Sequence, residues 1–157
     1  MTMIHLNGID PGLVHTGIVS LQVDSQKRTH RVWHQVVDGP DVEAVRDSPI
    51  LVGTRIFIEK YEDRGTVFET HAEMRKFETN ISNALPGAKV MSNVGVKKVV
   101  TDKMLAILIG DLPATHHKDL ESAARIMIAG GLKDPVVNSV LYHLMIDHLA
   151  GASWRTE

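Results

Sequence analysis

The chain contains no cysteine. Disulfide staples, thiolate zinc sites and cysteine nucleophiles are therefore excluded. No apolar run approaches the ~20 residues that a bilayer-spanning helix needs. The first residues also lack the basic-then-apolar layout of a secretory leader, so the expected compartment is the cytoplasm, that of the host if the chain is phage-encoded. Nine histidines are present but scattered, without an HExxH or comparable pair to suggest zinc. Positive charge is not in excess either: the formal net charge is −2, whereas a general nucleic-acid binder usually carries a basic footprint. A protein holding several acidic metal ligands lowers its own net charge, so local clustering is more telling than the total. What is there, 157 residues with 43% hydrophobic and 23% charged content, is enough for one globular domain with a real core, taken as residues 1–157.

The most informative stretch runs from Ile4 to Val19. Apolar Ile4, Leu6 and Ile9 predict a buried strand that delivers Asp10 at its end; Pro11 cannot continue a central ladder, and Gly12 permits a tight reversal. Taken alone, Asp10-Pro11-Gly12 reads equally well as an ordinary hairpin turn. Residues 3–10, 17–23 and 29–37 read as three strands of an antiparallel meander, closed by Gly39-Pro40. A short helix over 41–47 with Asp41 as cap follows. Gly53 to Lys60 reads as a fourth strand with a second acidic residue, Glu59, at its C-terminal end. From Thr66 the period changes: Val67, Phe68, His71, Met74, Phe77, Ile81, Ala84 and Leu85 recur at helical spacing until Pro86-Gly87. A fifth strand is expected at 88–91. Helices are expected at 101–109, from about Asp119 to a stop at Gly130-Gly131, and at about 134–150. The pattern is an α/β domain, a mixed five-stranded sheet flanked by helices.

These residues carry a resemblance. Gly8-Ile9-Asp10-Pro11-Gly12 with Thr16-Gly17 behind it, Ile58-Glu59 closing the fourth strand, Val96-Lys97-Lys98-Val99-Val100-Thr101 before a helix, and the acidic cluster from 119 resemble RuvC-type Holliday-junction resolvases of the RNase H-like superfamily. The likeness covers roughly residues 1–130. The helix beyond 132 has no counterpart in the bacterial pattern, which suggests a divergent phage-type member. The resemblance implies an antiparallel meander plus parallel strands, and a metal site in which Asp10 is the first-strand ligand and Glu59 the fourth-strand ligand. The family's third and fourth ligands lie three residues apart at the start of the last core helix. Asp119 fits the third position and Ser122 falls where the family has an aspartate, a departure that leaves Ser122 through a water, or Glu121 after a one-residue shift. An ideal helix puts Asp119 and Ser122 on one face, and Asp119 and Glu121 on different ones.

Hydrolysing a phosphodiester requires hydroxide at neutral pH and relief of charge on the pentavalent phosphate, and two Mg²⁺ (or Mn²⁺) about 4 Å apart supply both. Hard oxygen ligands suit these ions. The implied substrate is branched DNA, four-way junctions above all, gripped by Lys97, Lys98, Lys103 and Arg64 and cut by a homodimer whose contact includes the helix at 67–85. Each residue also has a plain alternative: strand-end and helix-capping carboxylates, lysines at a helix entrance and paired loop histidines such as His116 and His117 are common on solvated surfaces. An apolar helical stripe is equally a core stripe. Two other functions fit parts of the pattern. One is a branched-DNA binding module whose chemistry is impaired at Ser122, or a nuclease of the same fold acting on other nucleic acids. The other takes Asp10-Pro11-Gly12 and Thr16-Gly17 as a phosphate loop of the actin-like ATPases, although 157 residues leave no second nucleotide-binding half.

Overall fold

Side chains alternate across a strand, and here that alternation sorts the core into two layers. A computed structural model describes residues 3–62 and 68–156, with the side chains of residues 68 and 69 outside the description. In β1 (Met3–Asp10), Ile4 and Leu6 enter one apolar cluster while Ile9 enters another. In β2 (His15–Asp24), Val19, Leu21 and Val23 join the first and Ile18 the second. The two strands pair antiparallel from Met3↔Asp24 to Asp10↔Gly17, and β3 (Thr29–Asp38) continues the meander on the far side of β2.

On the other side of β1 lie β4 (Ile56–Glu59) and β5 (Lys89–Met91), both parallel to it in sense. The order is β5-β4-β1-β2-β3-β6, where β6 (Arg155–Thr156) is a sixth strand beyond the five expected. It is two residues long and pairs parallel with Thr29 and His30. Its anchor is Trp154, whose buried indole donates to Asp147 Oδ2 at 2.7 Å.

Helices α1 (Val42–Arg46) and α2 (Phe68–Ala84) cover the Ile9 layer, where Val45, Phe77, Ile81 and Leu85 are buried against Ile56 and Ile58. Met74, Phe77, Ile81 and Leu85 of the expected apolar stripe are thus core residues; Val67 lies outside the described residues. The opposite layer is built by α4 (Asp102–Leu108), α5 (His117–Gly131) and α6 (Pro135–Leu149), with the four-residue helix α3 (Val96–Val99) leading into α4.

Helix α5 begins two residues earlier than expected and ends where expected, at Gly130-Gly131. Both glycines are still helical, and they are glycines because a Cβ on Gly130 would stand 2.2 Å from the Phe57 ring, and one on Gly131 2.9 Å from Leu6. The glycine pair is a packing surface rather than a cap. Seated this way, α5 runs across β1, β2 and β4, and its N-terminal turn arrives over the ends of those strands.

Candidate functional site

Two strand ends and one helix start meet at this edge of the sheet. Asp10 shares the strand face of Leu6 and Gly8, and Glu59 shares that of Phe57, so both carboxyls point toward the α5 layer. The parallel register Ile9↔Ile58 makes them neighbours. Opposite Asp10 in β2 stands Gly17, where a Cβ would lie 2.7 Å from the backbone of Asp119. One strand residue away from the site, a Cβ on Gly8 would lie 2.0 Å from the Ala123 carbonyl oxygen. Glycines in Gly8-Ile9-Asp10 and Thr16-Gly17 are thus needed because α5 lies against the backbone of both strands, and this contact is what sets Asp119 above Asp10. Gly12 has its own reason: a Cβ there would meet the His15 carbonyl oxygen at 2.2 Å, and its turn is closed by Thr16, whose buried hydroxyl lies 3.3 Å from the Gly12 amide.

The electrostatics record the crowding. The Asp10 carboxyl is pushed up to about 9, by burial first, then by the charge of Glu59 and a hydrogen bond to it, then by the charge of Asp119. Like charges held together in a poorly solvated place keep one member protonated. Glu59 is oriented from its other side by Asn93, whose Nδ2 donates to Oε1 at 2.6 Å. Among the described residues no three carboxylate or imidazole groups surround one point closely enough to hold an ion as they stand. Asp10 and Glu59 form a bonded pair, and Asp119 is close enough to act on Asp10 through its charge.

The remaining expected residues are distributed around this pair. Ser122 lines, with Glu59, a cleft of about 790 Å³ whose other walls include Asn93, Lys97, Lys98 and Lys118. Glu121 lines it too, but its carboxylate is taken: Oε1 accepts from Arg125 Nη2 at 2.7 Å and Oε2 lies 3.1 Å from His117 Nε2. Lys103 is exposed on the first turn of α4 and does not line the cleft. Arg64 lies outside the described residues.

Three residues enter that sequence reasoning had not assigned a role, Lys118, Asn93 and Arg125, and His116, which it had weighed for phosphate contact or proton transfer, gains a definite position. Lys118 supplies a third cleft lysine. Asn93 fixes Glu59. His116 holds its Nδ1 3.8 Å from Asp119 Oδ2 and its ring 4.2 Å from that of His15, which in turn is bonded to Asp38 at 3.0 Å. Its left-handed backbone, φ 58°, starts α5 without a side-chain cap. Arg125 is buried, donates to the Val100 carbonyl and pairs with both Asp102, at 2.8 Å, and Glu121. It ties the α3–α4 junction to α5. A charged residue inside the apolar run Ala123-Ala124-Arg125-Ile126 was the signal available for it, since buried guanidinium needs paired acceptors. No comparable signal marked Asn93.

Strands in the order 3-2-1-4-5, antiparallel through the meander and parallel beyond it, with acidic strand ends facing a helix start, define an RNase H-like fold. Among solved structures the chain is similar to "T. thermophilus RuvC in complex with Holliday junction substrate", with a TM-score of 0.55 at 16% identity over 96% of this chain and 98% of that one. It is likewise similar to "Thermus thermophilus RuvC structure", with a TM-score of 0.53 at 15% identity over 90% and 96%. The fold is that of RuvC, in divergent form. No protein-family model matches the sequence, and no curated protein does.

Proposed function

We propose that the chain is a divalent-metal-dependent endonuclease for branched DNA, acting on four-way junctions as a homodimer. The observation that carries this reading is the half-buried Asp10–Glu59 pair under the charge of Asp119, at the mouth of a cleft walled by three lysines. An acid held protonated at about 9 beside two other carboxyls is what a bound cation would reverse, and a donor set of oxygens alone fits Mg²⁺ or Mn²⁺. Asp10, Glu59 and Asp119 would hold the ions, with Ser122 reaching them through water. When bound, such ions make hydroxide available at neutral pH and offset charge on the phosphate.

The chain's own groups supply the rest. Lys97, Lys98 and Lys118 attract the sugar–phosphate backbone into the cleft and hold it there as point charges. Asn93 keeps Glu59 turned toward Asp10. His116, beside Asp119 at the cleft's edge, is placed to take a proton from water or return one to a leaving oxygen. Pairing rests on the substrate: two opposed strands of a four-way junction need two sites related by a two-fold axis. Sedimentation at micromolar concentration should show a dimer, and a monomer alone argues against paired incision.

Neutral Ser122 at the fourth position, together with three acidic groups not yet gathered around one point, favours a second reading in which the chain binds branched DNA without cutting it. One experiment separates them. Labelled four-way, three-way, flap and linear DNA are incubated with Mg²⁺ or Mn²⁺ and either wild type or Asp10→Asn. The nuclease reading expects junction cleavage that the substitution abolishes; binding without cleavage by wild type leaves the binding module, and equal cutting by Asp10→Asn removes the assigned site.

A further inference from the structure

A second cavity, about 740 Å³, opens at the other end of α5 between the helix and the β4–β5 edge. Its walls carry Arg55, Lys89 and Lys133, and its one acidic side chain, Asp134, is already engaged. Asp134 caps α6 through Oδ1, accepting from Val136 N at 2.9 Å, and its Oδ2 lies 3.6 Å from Arg55 Nε. Lys89 and Lys133 are exposed, and among the described residues neither has a carboxylate within ion-pair distance. This corner is therefore strongly positive on a chain whose net charge is −2.

The two cavities follow one seam. Ser122 and Ile126 line the first, Gly130 lines the second, and these three stand at i, i+4 and i+8 on one ridge of α5. Across the seam, Glu59 belongs to the first cavity and Phe57, on the same strand face, to the second. Between them the Phe57 ring packs directly on Gly130, where a Cβ would stand 2.2 Å from it. The nine helical steps from Ser122 to Gly131 span about 14 Å and Lys133 lies in the turn beyond, together close to five steps of duplex DNA at roughly 3.4 Å each along its axis.

We propose that this seam is a phosphate track, and that Arg55, Lys89 and Lys133 form a second contact for the DNA backbone about five nucleotides from the incised bond. The proposal rests on the nuclease reading and extends it to a subsite remote from the acidic groups. Its chemistry is charge attraction between point cations and successive phosphates, independent of base sequence.

The test is Lys89→Glu combined with Lys133→Glu, both at exposed positions, against Lys89→Arg with Lys133→Arg. Binding of a four-way junction is followed by fluorescence anisotropy in Ca²⁺, with phosphate-ethylation interference to locate contacts. The charge-reversed protein should bind at least tenfold more weakly, with a salt slope shallower by about two. Interference should vanish about five nucleotides from the cut and persist at the cut itself, while cleavage at saturating DNA and the arginine variant stay at wild-type level. Unchanged affinity, slope and footprint overturn the track and leave the nuclease reading standing. A wild type that binds the junction but never cuts it, while the reversed variant binds weakly, overturns catalysis and supports the track.

Discussion

Asn7 and Asp10 are three residues apart on one central strand, both largely shielded from water, and they face opposite layers. Asn7 is completely satisfied: its amide donates to the carbonyls of Val52 at 2.8 Å and Arg55 at 3.1 Å, and its oxygen accepts from Ser20 at 2.6 Å and Val52 N at 3.2 Å. Asp10 is surrounded by groups of its own sign. A buried polar group with every bond made pins a loop to the sheet, here residues 50–55. A buried acid crowded by like charges costs stability, and chains keep such arrangements where a ligand or reaction relieves the conflict. The contrast assigns structure to one residue and function to the other.

The sharpest way to break that contrast is to exchange the two costs. Asp10→Asn should lower junction cleavage by about 10³-fold or more, since it removes a charge central to metal-assisted hydrolysis, and leave the protein folded. Asn7→Ala should do the reverse. It strands the Val52 amide and carbonyl and should cost about 2–4 kcal/mol in a urea melt, with the per-molecule rate of the surviving folded protein unchanged. Equal losses of activity from both would erase the distinction.

A second test reads the conflict directly through pH. Asp10 in the unfolded chain titrates near the ordinary aspartate value of 3.8 and in the fold at about 9, so between those values the folded state holds a proton that the unfolded state has lost. Stability of the metal-free protein from this group must then fall as pH rises from about 4 toward 9. Asp10→Asn removes the slope, so at pH 8 the metal-free variant should melt higher than wild type, by about 3 °C or more for a chain of this size. Saturating Mg²⁺ should raise the wild-type Tm and not that of the variant. Parallel pH–stability curves for the two proteins would mean that Asp10 is not in conflict with its neighbours.

Much of this contrast was legible in the residues, and the part that was not has a common cause. Strand periodicity in Ile4, Leu6 and Ile9 placed Asp10 at a strand end, and Gly53 to Lys60 did the same for Glu59, because both signals are local. The five-residue α1 and its cap at Asp41 were equally local. Gly130-Gly131 marked the end of α5 correctly, but their packing role was not legible, since it depends on the distant Phe57 ring and Leu6. β6 was missed since two residues carry no period, and α3 is likewise only four residues. Whether Glu121 or Ser122 faces Glu59 depends on Arg125 and His117 taking the Glu121 carboxylate, a choice made by side-chain partners rather than helix phase alone. Lys118 was overlooked beside two histidines, and its place in the cleft follows from where α5 begins.

Smaller effects should come from the residues that position the acids. Gly17→Ala would force the Asp119 backbone away from a Cβ at 2.7 Å. Overpacking of that kind costs about 1–3 kcal/mol, and the displaced Asp119 should lower cleavage while the Asp10–Glu59 pair, and hence the pH-dependent stability, survives. A pH slope that collapses along with activity would place Asp119 inside the pair rather than above it.

The mildest test concerns Asn93, whose amide donates to one oxygen of Glu59. Asn93→Ala leaves the three acids and all cleft lysines in place, so junction affinity and its salt slope should not change. Glu59 loses the bond that turns it toward Asp10, and the net worth of such a bond to a charged acceptor, about 1.5–3 kcal/mol, corresponds to a fall in cleavage of roughly ten- to a hundredfold. Asn93→Asp would add a fourth negative group at the same point and should be worse than alanine, whereas a merely structural asparagine would tolerate aspartate at least as well as alanine. The order of the two variants, measured at saturating DNA, therefore decides whether the 2.6 Å contact orients a reacting carboxylate or only closes a loop.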